Sequence, residues 1–183
     1  MKSSLFRSLW SLHLITPRGF IRLLRCFLHE GITMMAAVRF AARYHAHECA
    51  VVSDNQRIDY QDFYAFAKKL SYVLYHDYQL RSGQHVALFC RNHLVSALLL
   101  PTLSRLGVNV KLLNTDLSNE QLLQLMSRPF ALFIYDKELL QVENIDITCP
   151  QVSCESLLET IKEQLLTDNV VLPYIKRGGN ISV

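Results

Sequence analysis

The chain has 183 residues, half of them hydrophobic and 19% charged, with a formal charge of +3. That length suits one domain, or one domain with a helical appendage, and the composition excludes a disordered chain. The charge is uneven: residues 1–45 carry seven Lys/Arg against the single acid Glu30, and the rest carries twelve bases against fifteen acids, which argues against nucleic acid as a partner of the main body.

Residues 3–13 place Leu5, Phe6, Leu9, Trp10 and Leu12 on one side and Ser3, Ser4, Arg7, Ser8 and Ser11 opposite, a helical spacing. Pro17 interrupts it. Arg18, Arg22, Arg25 and His29 then recur at three- and four-residue intervals among Phe20, Ile21, Leu23, Leu24, Phe27 and Leu28, which predicts a basic amphipathic helix ended by Gly31. Residues 1–31 are read as this helical segment, and 32–183 as the incomplete domain that follows. Thr33 is expected to cap a further helix running to Tyr44.

From Cys49 the texture changes. Ala50–Val52 and Ile58–Tyr60 flank a polar turn, which predicts a small hairpin. Gln61–Tyr78 has helical spacing, Ser82-Gly83 is a turn, and His85–Cys90 is a compact apolar strand. A helix is expected over Asn92–Leu106 with Gly107 as its C-terminal stop, then a strand over Val108–Leu113. Ser118 with Gln121 three residues on predicts a capped helix to Met126, and Ala131–Tyr135 a third buried strand. A weaker helix at Lys137–Gln141, a strand within Ile145–Val152 and a helix over Ser153–Leu166 follow. At the end, Gly178-Gly179-Asn180 has turn chemistry, and Ile181 to Val183 begins a strand with no evident partner. The fold class this implies is α/β: helices alternate with strands apolar on both faces, so the sheet is expected to be parallel and covered on both sides. Asn92, Asn114 and Asp136 fall near strand C-terminal ends, where such sheets place ligands.

The candidate chemistry is sparse. His45-Ala46-His47-Glu48-Cys49 has the residue types of a metal cluster, but no second ligand pair follows, and an exposed helix-to-strand turn is the favoured reading. Cys149 and Cys154 could hold a metal or a disulfide, with nothing to complete a four-ligand set. The five scattered cysteines are odd in number and suggest a reducing compartment. No secretory signal is evident, and no uncharged apolar stretch approaches the roughly 20 residues that span a bilayer. The basic N-terminal helices, residues 1–30, have two readings: they lie on an anionic membrane surface, or they dock their apolar faces on the body, and docking is favoured. The location expected is cytoplasmic, with a membrane-peripheral alternative.

Five segments, in order and spacing, resemble the start of the adenylate-forming (AMP-binding) superfamily of acyl-CoA synthetases. Arg57-Ile58-Asp59-Tyr60-Gln61-Asp62-Phe63 is similar to the family's strand-to-helix entry, with Asp59 where Thr is usual. Arg81 to Asn92 is similar to its "GDxVaixxxN" segment, with Gln84 for Asp. Leu106 to Asn114 is similar to "lGaxxxxlN". Leu117 to Met126 and Ala131 to Asp136 match the helix and strand that follow. The resemblance covers roughly residues 33–183. It implies that Arg177 to Val183 lead into the strand before a Gly/Ser/Thr-rich phosphate loop, so that the chain reads as an N-terminal fragment ending just before that loop. No catalytic, cofactor-binding or metal-binding residue of the family can be carried onto any position here. ATP, Mg and CoA are implied for a full-length member, which would turn a fatty or related carboxylic acid into acyl-AMP and then acyl-CoA. No cofactor and no carboxylic acid substrate is assigned to these residues alone. The alternative expectation is a complete, non-catalytic interaction or membrane-peripheral module derived from the same fold.

Overall fold

The structure, a computed structural model, describes residues 17–53, 56–91, 94–139, 147–163 and 178–182. The helix expected over 3–13 lies outside the described residues, as does Asn92.

The first described helix, α1 (Pro17–Glu30), begins at the expected proline and stops where Gly31 takes a φ of 73°. Its inward face carries Gly19, Cys26 and Glu30, with Leu23 and Phe27 half-buried. Helix α2 (Met34–Tyr44) packs against it through Cys26, Ala36 and Phe40. Thr33 occupies the N-cap position of α2 but makes no side-chain cap. Its hydroxyl donates instead to the Glu30 carbonyl (3.0 Å), and the Met34 amide donates to Oγ of Ser104 (3.0 Å). The start of α2 is therefore capped by a residue seventy positions away, a partner no local pattern can reveal.

Strands β1 (Cys49–Ser53) and β2 (Gln56–Asp59) pair antiparallel as the expected hairpin. Helix α3 (Tyr60–His76) starts directly after it. Asp59 is its N-cap, accepting a hydrogen bond from the Asp62 amide (2.9 Å), which is the role a threonine would fill at that position.

The remaining elements build one parallel sheet. They are β3 (His85–Phe89), α4 (Leu94–Leu106), β4 (Asn109–Leu112), α5 (Asn119–Met126), β5 (Leu132–Tyr135), β6 (Gln151–Ser153), α6 (Cys154–Glu163) and β7 (Ile181–Ser182). The strand order is β6-β5-β3-β4-β7, and every pairing is parallel. The expected capping box is present in full: Ser118 Oγ accepts from the Gln121 amide while the Gln121 side chain accepts from the Ser118 amide.

Handedness explains the layers. The chain moves from β3 to β4 in one direction, then from β4 back past β3 to β5. Right-handed crossovers in opposite directions must lie on opposite faces. Accordingly α4 packs on one face with α3 and α6, over Val86, Leu88, Val110, Leu132, Ile134 and Val152. Helix α5 covers the other, where Leu122 and Met126 meet Ala87, Phe89 and Phe133.

Three expectations change. Over Lys137–Leu139 the chain makes a turn and not a helix; positions 140–141 lie outside the described residues. The strand expected from Ile145 is confined to Gln151–Ser153 among the described residues, because Pro150 has no N–H to give a ladder. Its carbonyl still accepts from the Phe133 amide (2.9 Å). And β7 has a partner after all: Ile181 and Ser182 pair with Val110 and Lys111 of β4. The glycines before it allow this contact. A Cβ on Gly179 would sit 1.6 Å from the Val108 carbonyl oxygen, and one on Gly178 would sit 2.5 Å from Ser104 Oγ.

One buried carboxylate ties the helical layer together. Glu30, 7% exposed at the end of α1, accepts from Arg39 of α2 (2.7 Å), Tyr64 of α3 (2.7 Å) and Arg105 of α4 (2.8 Å). Burial works to raise its pKa, but the hydrogen bonds from Tyr64, Arg39 and Arg105 outweigh it and hold the carboxyl below the ordinary range. Glu30→Gln should therefore cost about 3 kcal/mol, because the buried Arg105 keeps its charge and loses its counter-ion. A folded-state pKa below the unfolded one gives stability that is present above about pH 4.3 and lost as pH falls through the folded value. Denaturant melts of both proteins across pH 3–7 check this: the gap between them should be widest near neutrality and close toward acid.

Candidate functional site

Parallel α/β sheets bind ligands outside the C-terminal ends of their strands, where successive connections leave toward opposite faces. In this sheet the chain leaves β3 and β6 into α4 and α6 on one face, whereas the turn after β5 sends Leu139 to the other. The crevice flanking β5 and β3 is such a switch point.

A cavity of about 520 Å³ opens at this end. Its floor is Leu88 of β3 with Cys90 and Arg91 beyond it, and Leu112 of β4 with Leu113 beyond it. One wall is α4, through Ser96, Ala97, Leu100 and Pro101. The other is Met34 and Val38 of α2 with Phe63 of α3. Apart from Arg91 and Ser96, these lining side chains are hydrocarbon, thioether or thiol, a surface for an apolar group. Pro101, inside α4, lacks the N–H that would bond the Ala97 carbonyl. Both residues line the cavity. Glu30 acts here at one remove, since its partners Arg39 and Tyr64 sit on the same helices as Val38 and Phe63.

Beside the cavity, three side chains converge. Cys90 follows β3, Asp136 follows β5 and Cys154 follows β6, each one residue beyond positions that pair in register. Alternation along the strands turns all three to the face of Leu88, Ile134 and Val152. The Cys90 and Cys154 sulfurs lie 3.1 Å apart, and the donor atoms of all three residues fall within 4.8 Å of one another. Asp136, 3% exposed, accepts from the Arg91 amide. The hydrogen bond with Cys90, then burial, then Asp136 push the Cys154 thiol far up, so without another partner it stays protonated.

The candidates weighed from sequence fall differently. His45 pairs with Glu48 (2.7 Å), His47 lies 3.8 Å from Asp59, and the Cys49 thiol reaches the Val51 carbonyl (3.6 Å). Residues 45–48 are thus the turn that was favoured. Cys149 packs with Phe133 and Tyr135 on the opposite face from Cys154, so that pair does not meet. Asn114 is exposed and accepts from the Asp116 amide (3.1 Å), a local turn. Asp136 is where a strand-end residue was expected. The sequence reading missed the meeting of Cys90 with Cys154, which depends on strand order.

A second cavity of about 490 Å³ lies among His85, Asn109, Lys111, Arg128, Phe130 and Asn180, on the side of the strand N-terminal ends of β3 and β4. The strand-end rule favours the first cavity.

No protein-family model matches the chain, and no curated protein matches it by sequence. Solved structures do share its fold. Over 67% of this chain and 32% of the other, it superposes on o-succinylbenzoate CoA synthetase (MenE) from Bacillus subtilis in complex with the acyl-adenylate intermediate, at 18% identity and a TM-score of 0.60. VinN in complex with 3-methylaspartate matches 73% of this chain and 37% of its own, at 18% identity and a TM-score of 0.62. The N-terminal subdomain of Klebsiella oxytoca NpsA, in complex with 3-hydroxybenzoyl-AMSN, matches 77% and 35% at 16% identity and a TM-score of 0.62. The chain therefore shares the fold of the matched part of these structures, and it spans about a third of their length.

If the first cavity is an open apolar site, an apolar fluorescent dye such as anilinonaphthalene sulfonate should bind there, and Ala97→Trp should weaken binding about tenfold, or 1.4 kcal/mol. Fluorescence titration checks this, with Leu125→Trp at the second cavity as the control that should change nothing.

Proposed function

We propose that this chain supplies the N-terminal subdomain of an adenylate-forming synthetase that activates a fatty or related carboxylic acid. The observation that supports the reading is the shared fold over two thirds or more of the chain, joined to an apolar cavity at the strand C-terminal ends. In such a reaction the carboxylate oxygen attacks the α-phosphorus of Mg-bound ATP and expels pyrophosphate. The sulfur of the CoA thiol then attacks the acyl carbon of the acyl-adenylate and loses its proton, and the bond to the phosphate breaks to release AMP. On this reading the described residues contribute scaffold: the sheet, the strand-end crevice and an apolar wall. The phosphate loop and the groups that stabilise charge on the transferring phosphorus are supplied from outside residues 1–183, in a cytoplasmic protein. Expressed with the coding sequence that follows Val183, the protein should release pyrophosphate only when a carboxylic acid is present. The 183 residues alone should release none. Acid-dependent release by the 183 residues, or none from the extended protein with any acid, would overturn the reading.

A second observation favours a membrane-peripheral placement. Helix α1 buries only one side; Phe20, Ile21, Leu24 and Leu28 are exposed, and Ile32 beyond it is 66% exposed. Arg18, Arg25 and His29 flank this stripe in the open, and Arg22 lies over the Tyr44 ring (4.6 Å). An apolar stripe bordered by cations suits an anionic lipid surface, which would bring the protein to where long-chain acids partition. Among the described residues no helix is long and apolar enough to cross a membrane. In flotation assays the chain should rise with phosphatidylserine vesicles and not with neutral phosphatidylcholine ones, and Leu24→Ser with Leu28→Ser should reduce the bound fraction at least about fivefold. Failure to bind anionic vesicles would end this placement and leave the proposed reaction untouched.

A further inference from the structure

The convergence of two thiols and a carboxylate at the switch point has no role in the reading above. Cys90, Asp136 and Cys154 come from three adjacent strands, at equal height, on one face. The sheet therefore fixes their backbones before any ligand arrives. We propose that Cys90, Asp136 and Cys154 form a binding site for a thiophilic divalent cation of the zinc type.

The donor set and its surroundings fit that class of ion. Two sulfurs and one carboxylate oxygen are three of the four ligands a tetrahedral zinc-type ion takes, with metal–sulfur distances of about 2.3 Å and metal–oxygen distances of about 2.0–2.2 Å. Two thiolates on one such ion stand about 3.8 Å apart. The observed 3.1 Å therefore has to widen by about 0.7 Å, a small rotation of each side chain. A disulfide fits less well. Both cysteines are free thiols, and they follow strands that are not neighbours but are separated by β5.

The neighbours complete the case. The Arg91 amide donates to Asp136 and fixes the carboxylate. Glu155, next to Cys154, accepts from the Lys137 amide with one oxygen (3.2 Å), while its other oxygen is buried with no hydrogen-bond partner. Cys154 is 1% exposed, but Cys90 lines the apolar cavity, which gives an ion a way in and a water a place as the fourth ligand. Binding balances simply: the ion displaces one proton from each thiol, both protons pass to solvent, and the carboxylate gives an oxygen lone pair.

The test is a Co(II) titration of the reduced, metal-stripped 183-residue protein under argon. One equivalent should produce a thiolate-to-cobalt charge-transfer band with intense tetrahedral visible bands, and Zn(II) should remove them. Cys90→Ser and Cys154→Ser should each abolish the band, Asp136→Asn should weaken cobalt affinity at least tenfold, and Cys49→Ser and Cys149→Ser should leave it unchanged. Melting temperature supplies a second readout: Zn(II) should raise it in the parent protein and not in Cys90→Ser or Cys154→Ser. No stoichiometric cobalt band in the folded parent, or a band that survives both Cys90→Ser and Cys154→Ser, would overturn the assignment.

Discussion

One wall of the cavity at the sheet's C-terminal end depends on a single buried carboxylate. Glu30 ends the first described helix and gathers hydrogen bonds from three others, through Arg39, Tyr64 and Arg105. An isolated ionised carboxylate would be costly at that depth, and so would an unpaired Arg105, which is 6% exposed. Each is tolerable only because the other is present. The consequence is positional: α2 and α3 are held over the sheet's C-terminal end, where Met34, Val38 and Phe63 become a wall of the cavity. The network works as a geometric constraint more than as a large source of net stability, since buried ion pairs often do no better than well-packed hydrocarbon.

The elements were largely legible because their signals are local. Pro17 and Gly31 mark the ends of α1, Ser118 and Gln121 form a capping box within four residues, and the run Val86–Phe89 is apolar on both faces as a covered parallel strand should be. What was not legible is what depends on strand order and on distant side chains. The cap on α2 comes from Ser104. The partner of β7 is β4, reached only because Gly179 lets the backbone lie against Val108. Cys90 and Cys154 are 64 positions apart, and no spacing rule joins them; only the order β6-β5-β3 does. Proline misled in one place, for among the described residues the strand expected from Ile145 is confined to the three residues after Pro150.

Two kinds of chemistry share the sheet's C-terminal end. The cavity is apolar, and its only described charged lining residue, Arg91, pairs outward with Glu138 (2.8 Å). Beside it the thiol and carboxylate cluster is compact and mostly buried. The resemblance to adenylate-forming enzymes led to the expectation of an α/β fold with a parallel-rich sheet, and the solved structures share that fold. The cluster belongs to this chain's own residues and not to that resemblance, so the two readings stand or fall apart.

The central structural claim is that α1 belongs to the same cooperative unit as the sheet because Glu30 fastens it there. Native-state hydrogen exchange on the 183-residue chain tests this directly. At neutral pH the amides of Cys26 and Gly31 should open with the same free energy as those of Leu88 and Phe133. In Glu30→Gln the α1 amides should open first, with the sheet still protected. If α1 exchanges freely in the parent protein while the sheet stays closed, the carboxylate does not hold the layer and the account is wrong.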